Sequence, residues 1–243
     1  MQATNGRLSW PARLSLLRQV LVPGMAGFMR TLVGVGQHQS VRLEELPLPD
    51  TAAVRHAFEE IDSAASASVV NHSLRTYLWG AALGSVEALS FDPEFLLVGS
   101  LLHDLSMSER HGEHQPGCQC FAGQSAFAAF DSMRRFGWPQ ARLDRLADAV
   151  SLHMNGHLPL TPLGDVEAHL LQQGTAFDVV GSRWQDVDQA FRDQVLARHP
   201  RLGFNQVFAD FIAAECRRRP DSRAALMHQI GLPLMIKFNP YQD

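Results

Sequence analysis

Four positions in this 243-residue chain carry side-chain types that hold divalent metals: His72, the adjacent pair His103 and Asp104, and Asp178. Two imidazoles and two carboxylates make a mixed nitrogen and oxygen set, which suits Zn²⁺, Fe²⁺ or Mn²⁺ better than Ca²⁺. Such a set leaves positions free for water, as a catalytic site requires. The setting of each residue matters more than its type. His103-Asp104 closes the apolar run Phe95-Leu96-Leu97-Val98-Gly99-Ser100-Leu101-Leu102, so Asp104 is expected to be buried, where an unpaired carboxylate is heavily penalised. His72 follows Val69-Val70 and has Thr76 and Trp79 four and seven residues on, which turns it inward. Asp178 shares a helix face with Leu171 and Gly174 and is surrounded by Phe177, Val179 and Val180; it is metal-bound, hydrogen-bonded or a misplaced surface residue.

Other candidates are weaker. His153 follows Ala149-Val150-Leu152 and is expected to enter the same interior, as a proton donor, a substrate contact, a ligand of a second metal or a structural histidine. His157 stands four residues on, with Asn155-Gly156 expected to end the helix between them. Arg75, three residues after His72 on the same side, fits an ion pair or a substrate clamp. His111 and His114 with Cys118-x-Cys120 imitate a zinc knuckle, but a one-residue gap is too short, and a polar loop or lid is expected. Cys120 fits as a packing partner of Phe121. His38, His56, His169, His199 and His228 have no partner pattern and are expected to be structural. Arg217-Arg218-Arg219 reads as a solvated helix end.

The elements that must position these residues are helices. Apolar residues recur at three- and four-residue spacing over 51–66, 67–88, 93–103, 122–135, 139–153, 163–180, 186–198, 205–218 and 221–229, and only 39–46 hints at extended chain. Asp50 and Thr51, Asp92-Pro93, Trp138-Pro139 and Thr161-Pro162 supply starts. The expected fold class is all-α, a helical bundle at about 50–232, with 1–49 as an extension packing on it and 233–243 as a tail. Composition excludes several functions. With 46% hydrophobic and 19% charged residues the chain is not disordered, and no stretch is long and apolar enough for a membrane span. A net charge of −4 disfavours nucleic acid. Lys237 is the only lysine among 21 basic residues, so lysine chemistry is not expected. Three cysteines make no disulfide framework, and the arginine-dotted N-terminus has no signal-peptide core; a reducing cytoplasm is the expected setting.

The order His72, His103-Asp104, Asp178 on successive helices resembles the HD-domain superfamily of metal-dependent hydrolases over roughly residues 65–185. The stretches NHSLRTYLWG (71–80), LLVGSLLHDLSMS (96–108), CFAGQSAFAAF (120–130), AVSLHMNGHLPL (149–160) and GTAFDVVG (174–181) are similar to its cyanamide hydratase-type branch. The chain departs from that pattern in having no acidic residue near Ala122 or Gln124. The resemblance implies a single divalent ion, Zn²⁺ foremost with Fe²⁺ or Mn²⁺ as substitutes, carried by His72, His103, Asp104 and Asp178. It also implies hydration of a small nitrile-like substrate, cyanamide to urea or similar, by a metal-activated water. On that reading Asp104 takes the water's proton, His153 delivers one to nitrogen, and Arg75, Trp79, Phe121, His157 and Phe177 surround the substrate. The partner expected is a small molecule, with self-association left open. The main rival is a phosphohydrolase acting on a nucleotide or other phosphate ester, for which Arg75, Arg110 and Arg183 are thin support. A two-metal iron oxygenase and a silent binding scaffold are further rivals.

Overall fold

The computed structural model describes residues 7–20, 40–112, 118, 120–160 and 165–241, and these are helical with no strand among them. In chain order the helices are α1 (10–20), α2 (Ala52–Asp62), α3 (Ala67–Val86), α4 (Pro93–Leu102), the short α5 (Glu109–Gly112), α6 (Phe121–Phe136), α7 (Gln140–Leu152), α8 (Val166–Val180), α9 (Gln189–Arg198), α10 (Phe204–Arg218), α11 (Arg223–Gln229) and α12 (Leu232–Lys237). The boundaries have local causes. Thr51 accepts a hydrogen bond from the Val54 amide, and Asp92 caps α4 from in front of Pro93. Gly137 and Gly181 end α6 and α8 with φ of 102° and 68°, a left-handed turn that a side chain resists. Asp165 caps α8, whereas Thr161-Pro162 lies outside the described residues. The extended chain expected at 39–46 is interrupted over the described residues 40–46: Arg42 and Leu46 are extended, but Leu43–Glu45 between them is a 3-10 turn, with Leu43 and Leu46, three residues apart, both buried.

Helix α3 is the centre of the molecule. It is buried around nearly its whole circumference and packs most extensively on α8, then on α4. That closeness depends on glycine. A Cβ at Gly174 would meet the Thr76 carbonyl oxygen at 2.2 Å, and one at Gly80 the Leu170 carbonyl oxygen at 2.8 Å. A large apolar core gathers residues of α2, α3, α4, α6, α7 and α8, and a smaller one joins Phe121, Ala122 and Met154 to Phe204, Phe208 and Ile212 of α10 and to α11 and α12. Helix α1 buries Leu16 and pairs Arg13 with Asp221 at 2.7 Å, and Arg7 reaches the same carboxylate. The segment expected as a tail enters the interior instead: Tyr241 is buried and Asn239 donates to the Asp178 and Val179 carbonyls. Arg219 is also corrected. Arg217 and Arg218 are exposed at the end of α10, but Arg219 is buried, donating to Gln124 and pairing with Glu215 at 3.2 Å. No helix among the described residues is long and apolar enough to cross a membrane.

Since α3 carries His72 and α8 carries Asp178, their crossing fixes the spacing of those two side chains. Gly174→Ala is expected to destabilise the protein by about 2–3 kcal/mol through overpacking against backbone that cannot yield. Urea unfolding of the variant beside the parent measures this, and an unchanged midpoint would contradict the close crossing.

Candidate metal centre

His72 and Arg75 sit one turn apart on α3, His103 caps the C-terminus of α4 with Asp104 next to it, and His153 caps the C-terminus of α7. All five are essentially out of contact with solvent. His72 Nε2 lies 3.2 Å from His103 Nε2 and 3.5 Å from Asp104 Oδ2, and His103 Nε2 lies 3.4 Å from the same oxygen. His153 Nε2 is 3.4 Å from the other oxygen, Oδ1.

Which nitrogens carry protons follows from their outer partners. His72 Nδ1 donates to Asp178 Oδ2 at 2.7 Å, His103 Nδ1 to the Ser100 carbonyl at 2.7 Å, and His153 Nδ1 to the Val150 carbonyl at 2.6 Å. A carboxylate or carbonyl oxygen accepts only, so each Nδ1 holds a hydrogen, and in a neutral ring Nε2 is then the atom with the bare lone pair. Burial holds His103 down at about 3, and it lowers His153 as well, so both imidazoles are neutral near pH 7. Both oxygens of Asp104 accept no hydrogen bond from the described residues. Three lone pairs and a carboxylate therefore converge with no donor among them.

Such a constellation is repulsive unless a cation stands in it. Two atoms each about 2.0–2.1 Å from one ion at a tetrahedral angle lie about 3.3 Å apart, and the observed edges of 3.2, 3.4 and 3.5 Å match that triangle. His72, His103 and Asp104 thus form a buried group fit to hold a metal ion.

Asp178 is built in the opposite way. Arg75 grips it with two bonds, Nε to Oδ1 at 2.8 Å and Nη2 to Oδ2 at 2.9 Å. Trp79 Nε1 adds a bond to Oδ1 at 2.8 Å, and Arg201 Nη1 another at 3.3 Å. Burial would raise its carboxyl, but Arg75, the His72 bond and Arg201 hold it well below the ordinary range. The structure places Asp178 behind His72, on the nitrogen remote from the converging lone pairs. Arg75, Trp79 and Phe177 stand on that side too: Trp79 and Phe177 stack at 4.5 Å and Tyr241 lies parallel to both. Phe121 meets His153 edge-on at 5.8 Å. His157 is elsewhere, 3.4 Å from Gln173. His111 pairs with Glu60 at 3.0 Å, Cys118 and Cys120 are buried free thiols, and His114 and His38 lie outside the described residues. Cys120 packs with Phe121 in the smaller core. Sequence reasoning missed Arg201, Phe204, Asn239 and Tyr241. Phe204 stacks on the His72 ring with centroids 4.1 Å apart and planes 14° from parallel. Spacing marks Phe204 only as an inward residue of α10, with Phe208 and Ile212, and marks the other three not at all, because all four come from loops or helix ends outside the run of motifs.

No family model matches the chain. It is 26% identical over 181 residues to two proteins of Saccharomyces cerevisiae, Cyanamide hydratase DDI2 and Cyanamide hydratase DDI3, and each match covers 72% of this chain and 77% of the relative.

The neutral, buried state of His103 sets a pH dependence. Its folded value of about 3 lies below the ordinary 6.5, so as pH falls the unfolded chain takes up the proton first. The stability this gives is complete above about pH 6.5 and is lost towards pH 3, at about 1.4 kcal/mol per pH unit for each such group. Asp178, whose value is also lowered, adds a contribution present above about pH 4 and lost below it. Urea unfolding of metal-free protein between about pH 8 and pH 4.5 should show the decline beginning near 6.5. A flat profile down to pH 5 would contradict it.

Proposed function

We propose that the protein is a metal-dependent hydratase acting on a small, neutral, nitrile-like molecule, of which cyanamide, giving urea, is the model. The observation that carries this is the convergence of three Nε2 lone pairs and an unsatisfied Asp104 carboxylate in one buried place. The similarity to two yeast proteins named cyanamide hydratase supplies the substrate class. His72 Nε2, His103 Nε2 and Asp104 would hold the ion, with Zn²⁺, Fe²⁺ or Mn²⁺ each suited to two nitrogens and an oxygen. A divalent ion there supplies a coordinated water whose pKa is lowered towards neutrality, together with charge to polarise the substrate. Asp178 keeps His72 in the required tautomer and orientation, as carboxylates behind metal-bound imidazoles do.

The remaining chemistry belongs to His153. Its Nε2 is unprotonated and faces Asp104 Oδ1 at 3.4 Å, close enough to receive a proton from the attacking water directly or across Asp104. The same nitrogen returns that proton to the nitrile nitrogen. One C–O bond forms and one π bond of the C≡N group is lost, giving an imidic acid (isourea from cyanamide), whose hydroxyl proton then moves from oxygen to nitrogen as the C=O bond of the amide replaces the remaining C=N π bond. Phe121, Ala122 and Met154 border this side with apolar surface, which suits a neutral substrate.

Phosphate ester hydrolysis fits less well. Arg75 is taken up by Asp178 and the His199 and Pro200 carbonyls, Arg183 by Glu87 and Asp186, and Arg110 lies beside Glu60. None is paired with Asp104, His103 or His153 among the described contacts.

Two outcomes are expected. His103→Ala should lose the bound ion, measured by elemental analysis, together with urea formation from cyanamide; stoichiometric metal in that variant would remove His103 from the site. His153→Ala should keep the ion but turn over roughly 10²–10⁴-fold more slowly. Near-normal turnover in metal-loaded His153→Ala would exclude the proton-transfer role, and a nucleotide-dependent rise in Tm would favour the phosphate reading.

A further inference from the structure

We infer that Phe204 is a positioning residue that fixes the plane of the His72 imidazole, an inference that rests on the metal reading above. A hydrogen bond from Nδ1 to Asp178 holds one edge of the ring but leaves it free to tilt about that bond, which would swing Nε2 off His103 and Asp104. A flat surface against the ring face removes the freedom. Phe204 provides it, stacked on His72 at 4.1 Å and 14° and itself almost fully buried.

The segment that delivers this ring is tied to the same site at each step. The His199 carbonyl accepts from Arg75, the Pro200 carbonyl from Arg75 and Asn71, and Arg201 donates to the Asp178 side chain and carbonyl. Leu202 and Gly203 then both adopt the left-handed conformation, with φ of 54° and 76°, reversing the chain so that α10 begins at Phe204. For the exposed Leu202 that conformation is unfavourable. A leucine held there marks a segment whose geometry is imposed by its contacts. Arg75 and Arg201 each place a guanidinium carbon 5.7 Å from the Phe204 ring centroid, fixing the ring that fixes the histidine. Residues 199–204 therefore touch Arg75, Asp178 and His72 in sequence, and Phe204 is the member that acts on the metal-facing side chain.

The test separates positioning from packing. Phe208 belongs to the same apolar cluster and stacks on Phe204, but it is not recorded against His72. Metal-free parent, Phe204→Leu and Phe208→Leu are each titrated with Zn²⁺ against a competing chelator at neutral pH, and their unfolding midpoints are compared. Phe204→Leu should bind Zn²⁺ some 10–100-fold more weakly, the usual effect of losing support behind a ligand. Phe208→Leu should lose comparable stability and keep the parent affinity within about threefold. Equal affinity in Phe204→Leu, or equal loss in Phe208→Leu, overturns the inference. Should Phe204→Leu not fold, Phe204→Met is read in the same way. Nitrogen-15 and ring-proton spectra of the metal-free proteins give a second readout. The His72 ring protons should lose their ring-current shift, and the single Nδ1-protonated form should give way to a mixture, in Phe204→Leu alone. If the parent takes up no Zn²⁺ the metal reading fails, and unchanged His72 spectra in Phe204→Leu would then reject the positioning role by themselves.

Discussion

A carboxylate sealed from water has to be met by donors or by a cation, and at Asp178 donors are drawn from separate parts of the chain. His72, Arg75 and Trp79 come from successive turns of α3, Arg201 from the loop before α10, and Asn239 from beyond α12, binding the Asp178 carbonyl. Removing an ion from water costs several kcal/mol, and the attraction of a guanidinium offsets that only when the geometry is close and the remaining lone pairs are also met. The bidentate Arg75 grip with the indole and imidazole bonds meets that condition. Helices α3, α8 and α10 and the C-terminal segment are thereby obliged to keep one relative arrangement. A change at any of them reaches His72 through this carboxylate.

The close approach of α3 and α8 is the other half of the same constraint. Gly80 and Gly174 let the two backbones meet where any Cβ would intrude, which brings the turn carrying Asp178 against the turn carrying His72. Around that contact the aromatic rings are layered. Phe177, Trp79 and Tyr241 lie nearly parallel on the far side of Asp178, and Phe204 covers the near side against His72. The rings exclude water from the ion cluster, and exclusion of water is what gives its charges their strength.

The helices and the converging His72, His103 and Asp104 were legible because both leave local marks. Apart from the short α5, apolar spacing outlined α2 to α11 to within a few residues, and the pair His103-Asp104 directly after eight mostly apolar residues announced Asp104 as a buried carboxylate. The role of Asp178 was legible only as a choice between a metal and hydrogen bonds, since nothing in GTAFDVVG states that Arg75 and Arg201 reach it from elsewhere. Trp79 and Phe177 read as pocket lining because their burial was evident while the side of the imidazole they occupy was not. Arg219 looked like one of three solvated arginines, and only the fold shows that Glu215 and Gln124 draw it in. Phe204 continues the four-residue apolar spacing of Phe208 and Ile212 but nothing local says that it meets His72, and Asn239 and Tyr241 carry no periodicity. Their part in the site is a product of tertiary closure.

The two aspartates show how one chain gives identical side chains opposite tasks. Asp178 is met by donors on both oxygens, which leaves it nothing to offer a cation and makes it a fixed point for orienting His72. Asp104, next to His103, is met by imidazole nitrogens whose hydrogens are all committed to acceptors elsewhere. The Ser100 and Val150 carbonyls that take those hydrogens are backbone groups three residues before His103 and His153, at the ends of α4 and α7, where carbonyls lack helical partners. Ending each helix at a histidine therefore turns the imidazole Nδ1 back onto its own helix and its Nε2 outward to the shared centre. The lone-pair convergence around Asp104 follows from where two helices stop, and the tautomer of the third imidazole follows from Asp178.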